Sequence, residues 1–214
     1  MRPIIVLVTD PVFGDDVIVR CVHAAAAVLP PGAFCVQLRD KRRPIVSMRQ
    51  LAWRLGLVTR AFGASLVVNG DAAVARDVGA DGVHIGPYVR DVAATRATFG
   101  RRAWVSVAAH SDDDVRRGVH EGADAVLVSP VFATRPPSPF APEKAPRGLA
   151  AIQAARALAP RNPAIYALGG VTADRAGACA AAGADGVAVM RALLGSAAPA
   201  GVARAIHDAF IKGW

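Results

Sequence analysis

Gly79-Ala80-Asp81-Gly82-Val83 returns as Gly122-Ala123-Asp124-Ala125-Val126 and again as Gly183-Ala184-Asp185-Gly186-Val187. Each copy stands between an Ala/Arg-rich stretch and an apolar, β-branched run. Glycine takes the positive φ that ends a helix, alanine lets the turn lie close to a sheet, and aspartate suits the turn; the valine-rich run that follows reads as a buried strand. The unit is helix, turn, strand, and its glycines and aspartates are read as connectors rather than chemistry. Working outward, strand-like apolar runs recur at residues 4–8, 34–38, 65–68, 82–85, 104–107, 125–128, 164–168 and 186–189. Helical stretches separate them, as over 45–62 with Leu51, Leu55 and Val58 on one side, and over 173–182 with a face of small residues. Eight such alternations in 214 residues predict an α/β chain folded as a single (β/α)8 TIM barrel over 1–214, in preference to an open flavodoxin-like sheet.

The composition narrows the function. With 53% hydrophobic residues and no long polar tract, the chain has the means to bury a sizeable core. No apolar run approaches the roughly 20 residues that span a bilayer, and Met1-Arg2-Pro3 leads too abruptly into Ile4-Ile5-Val6-Leu7-Val8 for a cleavable signal. A cytoplasmic protein without a membrane partner is expected. Cys21, Cys35 and Cys179 are odd in number, far apart and set in apolar sequence, as buried free thiols are. The net charge of +8 comes from arginines spread over most helices, and the one cluster, Arg39-Asp40-Lys41-Arg42-Arg43, lacks the interleaved aromatics of a nucleic-acid binder. A small anionic substrate fits this charge better than nucleic acid.

In such a barrel the chemistry sits just after each strand. Those positions hold Asp10, Arg39-Asp40-Lys41, Asn69-Gly70-Asp71, His84 through Tyr88, His110, Ser129 through Arg135, Gly169-Gly170 and Met190-Arg191. The Gly169-Gly170 turn after the seventh strand, with the turn after the eighth, occupies the usual phosphate position, where glycine exposes backbone N–H groups beside a helix N-terminus. Residues 130–146 carry six prolines with little periodic pattern and are expected to overhang the mouth as a lid.

Read in order, Val36-Gln37-Leu38-Arg39-Asp40-Lys41, Val67-Val68-Asn69, Val83-His84-Ile85-Gly86, Ser129-Pro130-Val131-Phe132-Ala133-Thr134, Ala167-Leu168-Gly169-Gly170-Val171 and Gly186-Val187-Ala188-Val189-Met190 resemble the family of thiamin phosphate synthase and its paralogue, the thiazole tautomerase. The resemblance covers nearly the whole chain. It implies that the partner is a phosphorylated thiazole, that Arg39, Lys41 and Asn69 match pyrophosphate-binding positions, and that Gly169 and Gly170 match the thiazole phosphate site. Thr134, Arg135 and Met190 complete the implied substrate-binding set, and a homodimer is implied as well.

The departures fall on the metal side. Where the synthase has an Asn-Asp pair, the chain reads Asn69-Gly70; Val89 replaces an acidic residue, Pro136-Pro137 a Thr-Lys, and Ala108 a serine. Glycine and valine side chains ligate no Mg²⁺, which leaves Asp71 and Asp91 as substitute ligands if the chain is a synthase; Asp71 also reads as a helix cap. The Asn-Gly pair and the Val-Met ending resemble the tautomerase branch, which needs no cofactor, so a tautomerase-like enzyme is the leading expectation. That branch's histidine is Pro130 here, leaving His84 and His110 as the candidate proton carriers, since imidazole titrates near neutral pH. A synthase with an altered Mg²⁺ site, a non-catalytic binder of thiazole or thiamin phosphate, and another phosphate-binding barrel are the alternatives.

Overall fold

The computed structural model describes residues 2–86, 91–100, 103–134 and 145–214. Eight parallel strands, β1 (Ile5–Val8), β2 (Phe34–Leu38), β3 (Ser65–Asn69), β4 (Gly82–Ile85), β5 (Trp104–Ala109), β6 (Ala125–Val128), β7 (Ala164–Leu168) and β8 (Gly186–Val189), pair in chain order and close through β1 and β8. The helices are α1 (Asp15–Ala26), α2 (Ile45–Ala61), α3 (Ala72–Asp77), α4 (Val92–Phe99), α5 (Asp112–His120), α6 (Ala150–Leu158), α7 (Ala173–Ala181), α8 (Arg191–Leu194) and α9 (Pro199–Lys212). The closed ring is the expected (β/α)8 TIM barrel and excludes the open sheet. Two strands run further than their apolar pattern. Asn69 stays in the ladder opposite His84, and Ala109 opposite Val128, because neighbouring strands continue to offer partners beyond the last valine.

The repeated phrase does one structural job three times. Gly79, Gly122 and Gly183 adopt φ of 63°, 71° and 99°, ending the preceding helical segment. The aspartate two residues on then reaches across to the start of the previous strand: Asp81 accepts from the Leu66 N–H at 2.8 Å, Asp124 from Val105 at 2.7 Å and Asp185 from Ile165 at 2.7 Å. Each aspartate's own N–H donates to the carbonyl of the same residue, so every turn is fastened by a two-way clasp. Arg96 pairs with Asp124, and Arg156 with Asp185, at the same end of the barrel.

Side chains alternate across the strands with period two. Val6, Val8, Cys35, Val67, Leu127 and Ala188 face the barrel axis, while Ile5, Leu7, Val36, Leu66 and Val126 pack outward against the helices. Trp104 and Tyr166 fill the bottom of the barrel edge to face, with ring centres 6.4 Å apart, and the Tyr166 hydroxyl donates to the Pro3 carbonyl at 2.9 Å. Leu51 and Leu55 are the buried face of α2, as their spacing predicts. Cys21, Cys35 and Cys179 are free and buried, and burial pushes the Cys21 and Cys179 thiols up to about 11, far from the reactive thiolate range. Among the described residues, no helix is long and apolar enough to cross a membrane.

Candidate functional site

At the carboxyl ends of the strands the inward side chains are polar on one side and apolar on the other. Across β3, β4 and β5 the register aligns Asn69, His84 and Ser106. Gln37 from β2 donates through Nε2 to Asn69 Oδ1 at 3.4 Å. From β6 to β8 the inward side chains are Leu127, Leu168, Ala188 and Met190, with Leu168 and Met190 half-buried against the barrel interior. Such an arrangement suits a ligand with a flat apolar body and charged ends.

Arg39 is set by the strand beside it. The Thr9 hydroxyl accepts from the Arg39 N–H at 2.8 Å and donates to the Arg39 carbonyl at 3.2 Å, fixing the backbone where β2 ends. Arg39 is half-buried and its charge acts on the His84 ring. Lys41 lies exposed two residues further on. The rest of the basic cluster is spent on the fold, since Arg43 forks onto Asp15 at 2.6 and 2.8 Å and also donates to Asp40 at 3.0 Å. A guanidinium already carrying two carboxylates offers little to a substrate.

His84 is buried and its Nδ1 shares a hydrogen bond with Ser106 Oγ at 2.9 Å. Burial, with the charges of Arg39 and His110 added, holds its pKa down to about 3. The ring is therefore neutral at physiological pH and serves as a hydrogen-bonding group; a proton shuttle would need a value near neutrality. His110 is more open. Its backbone N–H donates to Asp114 Oδ2 at 2.7 Å, and its Nδ1 donates to the Ser129 carbonyl at 3.0 Å, with Ser129 Oγ 3.1 Å away. In the neutral ring this leaves Nε2 as an acceptor. The two histidines thus reach the same end of the barrel with different chemistry.

Burial of neutral His84 ties stability to pH. The unfolded chain binds a proton near pH 6.5 that the folded state refuses until about pH 3, so stability is full above the upper value and falls as pH drops between them. The expected slope approaches 1.4 kcal/mol per pH unit. Urea unfolding midpoints measured at pH 7, 6, 5 and 4 should fall less steeply in His84→Gln than in the wild type, and parallel curves would remove His84 as the source.

At β7, the Gly169-Gly170 turn is packed against the segment after β6. Val131 N–H donates to the Leu168 carbonyl at 2.9 Å and Phe132 N–H to Gly169 at 3.0 Å. Gly170 has φ of 63°, and a Cβ there would lie 2.6 Å from the Ala133 carbonyl oxygen and 2.8 Å from Phe132 Cβ. Only glycine meets both demands. With the Gly169 carbonyl bonded to the neighbouring loop, the turn sits beside the start of α7, as a phosphate cradle requires. Thr134 is exposed at the edge of this segment.

Asp71 and Asp91 are helix N-caps: Asp71 Oδ1 accepts from Val74 N–H at 2.8 Å and Asp91 Oδ1 from Ala94 N–H at 2.7 Å. Among the described residues, no three His, Cys, Asp or Glu side chains group as a metal cage. Arg135, Val89, Pro136-Pro137 and residues 135–144 of the expected lid over 130–146 lie outside the described residues. Thr9 and Ser106, which support the site, were not among the expected residues. Ser106 was discoverable in principle, because it lies two residues before Ala108 on the same inward side of β5.

The family model of thiamine monophosphate synthase matches residues 5–193. A thiamine-phosphate synthase of Halorhodospira halophila is 39% identical over 185 residues, covering 85% of each chain. The thiamine biosynthesis bifunctional protein ThiM/ThiE of Symbiobacterium thermophilum is 37% identical over 182 residues, which span 85% of this chain and 37% of that longer protein. A thiamine phosphate pyrophosphorylase from Pyrococcus furiosus superposes with a TM-score of 0.83 over 98% of this chain and 96% of its own at 23% identity, a likeness of fold. The match over nearly the whole barrel, together with the identity to full-length relatives, places the chain in the thiamine monophosphate synthase family.

Proposed function

We propose that the protein is a thiamine-phosphate synthase, joining a phosphorylated thiazole to a pyrimidine methyl pyrophosphate with release of pyrophosphate. The observation that carries this reading is the divided mouth, with Arg39 and Asn69 on one side, the Gly169-Gly170 turn on the other and an apolar wall between. The names of the relatives favour the same reaction. They favour the synthase over the tautomerase-like enzyme that was the leading expectation from Gly70, Met190 and the lost carboxylates.

The two phosphorylated ends are held apart. Arg39, Lys41 and Asn69 take the pyrophosphate over β2 and β3, and the β7 turn takes the thiazole phosphate. Leu168 and Met190 receive the uncharged rings between them. The C–O bond to pyrophosphate breaks with its electron pair leaving on oxygen, and the thiazole nitrogen supplies the pair for the new C–N bond. Positive charge develops on the pyrimidine methylene, and Arg39 answers the negative charge growing on the leaving group. Neutral His84 adds no competing cation beneath it.

The donor set fits Mg²⁺ only in the mode in which substrate phosphates bring most of the ligands. Asp71, next to Gly70 at the end of β3, uses Oδ1 as a cap and keeps its second oxygen, and Asp91 does the same at α4. Asp71 and Asp91 would hold the ion together with the substrate phosphates, and it would supply positive charge beside the pyrophosphate. Asn caps a helix about as well as Asp, so Asp71→Asn should leave the unfolding midpoint within a few tenths of a kcal/mol while raising the Mg²⁺ needed for half-maximal rate about tenfold. An unchanged Mg²⁺ requirement would take the ligand assignment away from Asp71.

The test of the reaction is direct: both substrates and Mg²⁺ with the purified protein, thiamin phosphate being measured by oxidation to its fluorescent product. Formation over many turnovers is expected. No product, where an authentic synthase works in the same mixture, rejects the synthase and leaves a binder or an isomerase to be tested with the thiazole carboxylate phosphate.

A further inference from the structure

Arg175 stands third in α7, in the first turn of a helix whose N-terminus faces the Gly169-Gly170 turn. A cation there opposes the helix dipole, which favours negative charge at that end. The side chain is nevertheless engaged: Nη1 donates to the Gly170 carbonyl at 2.8 Å, and the guanidinium lies over the Phe132 ring, 4.9 Å from its centre. The neighbouring Asp174 carboxylate is 4.0 Å away and largely exposed, so it compensates the charge only weakly. The segment after β6 and the turn after β7 already share two backbone hydrogen bonds, and Arg175 ties them a third time through side-chain contacts on both.

We infer that Arg175 is a positioning residue for the anion-binding turn, selecting the doubly charged phosphate end of the thiazole substrate. The inference rests on the reading of Gly169-Gly170 as the phosphate site. Arg175 works there in two ways. By bonding the Gly170 carbonyl it fixes the Gly170-Val171 peptide and polarises it, so that the peptide N–H becomes a better donor. By staying partly exposed at the first turn of α7, it keeps a positive charge beside the turn that is unfavourable to the empty helix and favourable once an anion arrives. An arginine placed only to steady the fold would show the reverse, helping the free protein and leaving anion affinity alone.

The experiment compares wild type, Arg175→Gln and Arg175→Lys, with inorganic phosphate as the binding probe, followed by calorimetry at fixed ionic strength. Arg175→Gln is expected to weaken phosphate binding about three- to tenfold while the melting temperature holds or rises, and Arg175→Lys to recover most of the affinity because the charge returns to the same turn. In steady-state assays the KM for the phosphorylated thiazole should rise in Arg175→Gln, with the KM for the pyrimidine pyrophosphate and kcat unchanged. If Arg175→Gln binds phosphate as tightly as the wild type, the inference falls while the phosphate turn stands. A loss of affinity that follows a lowered melting temperature and is not recovered by Arg175→Lys also overturns it, in favour of a structural role. If the wild type itself binds no phosphate, the reading of the turn falls and takes the inference with it.

Discussion

Arg39→Gln is expected to reduce thiamin phosphate formation about 100- to 1000-fold. Arg39 is the half-buried cation of the mouth, and the Thr9 hydroxyl holds its backbone by accepting one hydrogen bond and donating another. With its backbone fixed in this way, Arg39 brings a positive charge to the mouth that meets the negative charge of the departing pyrophosphate. Gln keeps much of the side chain's length and removes the charge, so the loss should appear in kcat as well as in kcat/KM. The same substitution lifts a positive charge away from His84, whose imidazole should then titrate closer to neutral pH. Steady-state kinetics with an NMR titration of the His84 ring would test both effects. Activity within about threefold of wild type would remove Arg39 from the charge-stabilising role.

Gly82→Ala is expected to destabilise the barrel by about 3 kcal/mol or more. A Cβ at Gly82 would collide with the Trp104 carbonyl oxygen and lie 3.1 Å from Trp104 Cβ. At Gly186, the matching position of the third copy of the repeat, it would lie 2.6 Å from Tyr166 Cε1 and 2.7 Å from the Ile4 carbonyl oxygen. The second copy has Ala125 at this position, fully buried and accommodated. The protein thus contains its own control: Ala125→Gly should cost only about 1 kcal/mol, although it is the same exchange in reverse. Urea unfolding of Gly82→Ala and Ala125→Gly would decide, and a Gly82→Ala midpoint equal to that of the wild type would refute the close approach of Gly82 to the Trp104 backbone.

The barrel was legible because its signals are local. Apolar runs bounded by turn residues mark strands whether or not their partners are known, and the boundaries at 34–38, 82–85, 125–128, 164–168 and 186–189 agree with the structure. Strand ends were less visible where polar residues stay in the ladder, as Asn69 does. The mouth was legible as a set of strand-end residues and much less so as a set of functions. His84 looks like any imidazole in the sequence, and only its burial beside Arg39 and His110 makes it a neutral group. Arg43 looks like Arg39, yet two carboxylates brought from α1 and from the loop after β2 occupy it. Asp71 was readable as a cap from its position alone, and it is one.

The three aspartate clasps lie at the amino-terminal ends of the strands, a strand's length from the mouth. The clasps that fasten the turns and the residues of the proposed reaction therefore stand at opposite ends of the barrel, and substitutions at the two ends should combine additively. In that light Gly70 and Ala108 are intelligible: both stand at the mouth, where the clasps do not depend on them. A lineage can vary its mouth one residue at a time and still inherit the same closed barrel, so this architecture separates heritable shape from revisable chemistry.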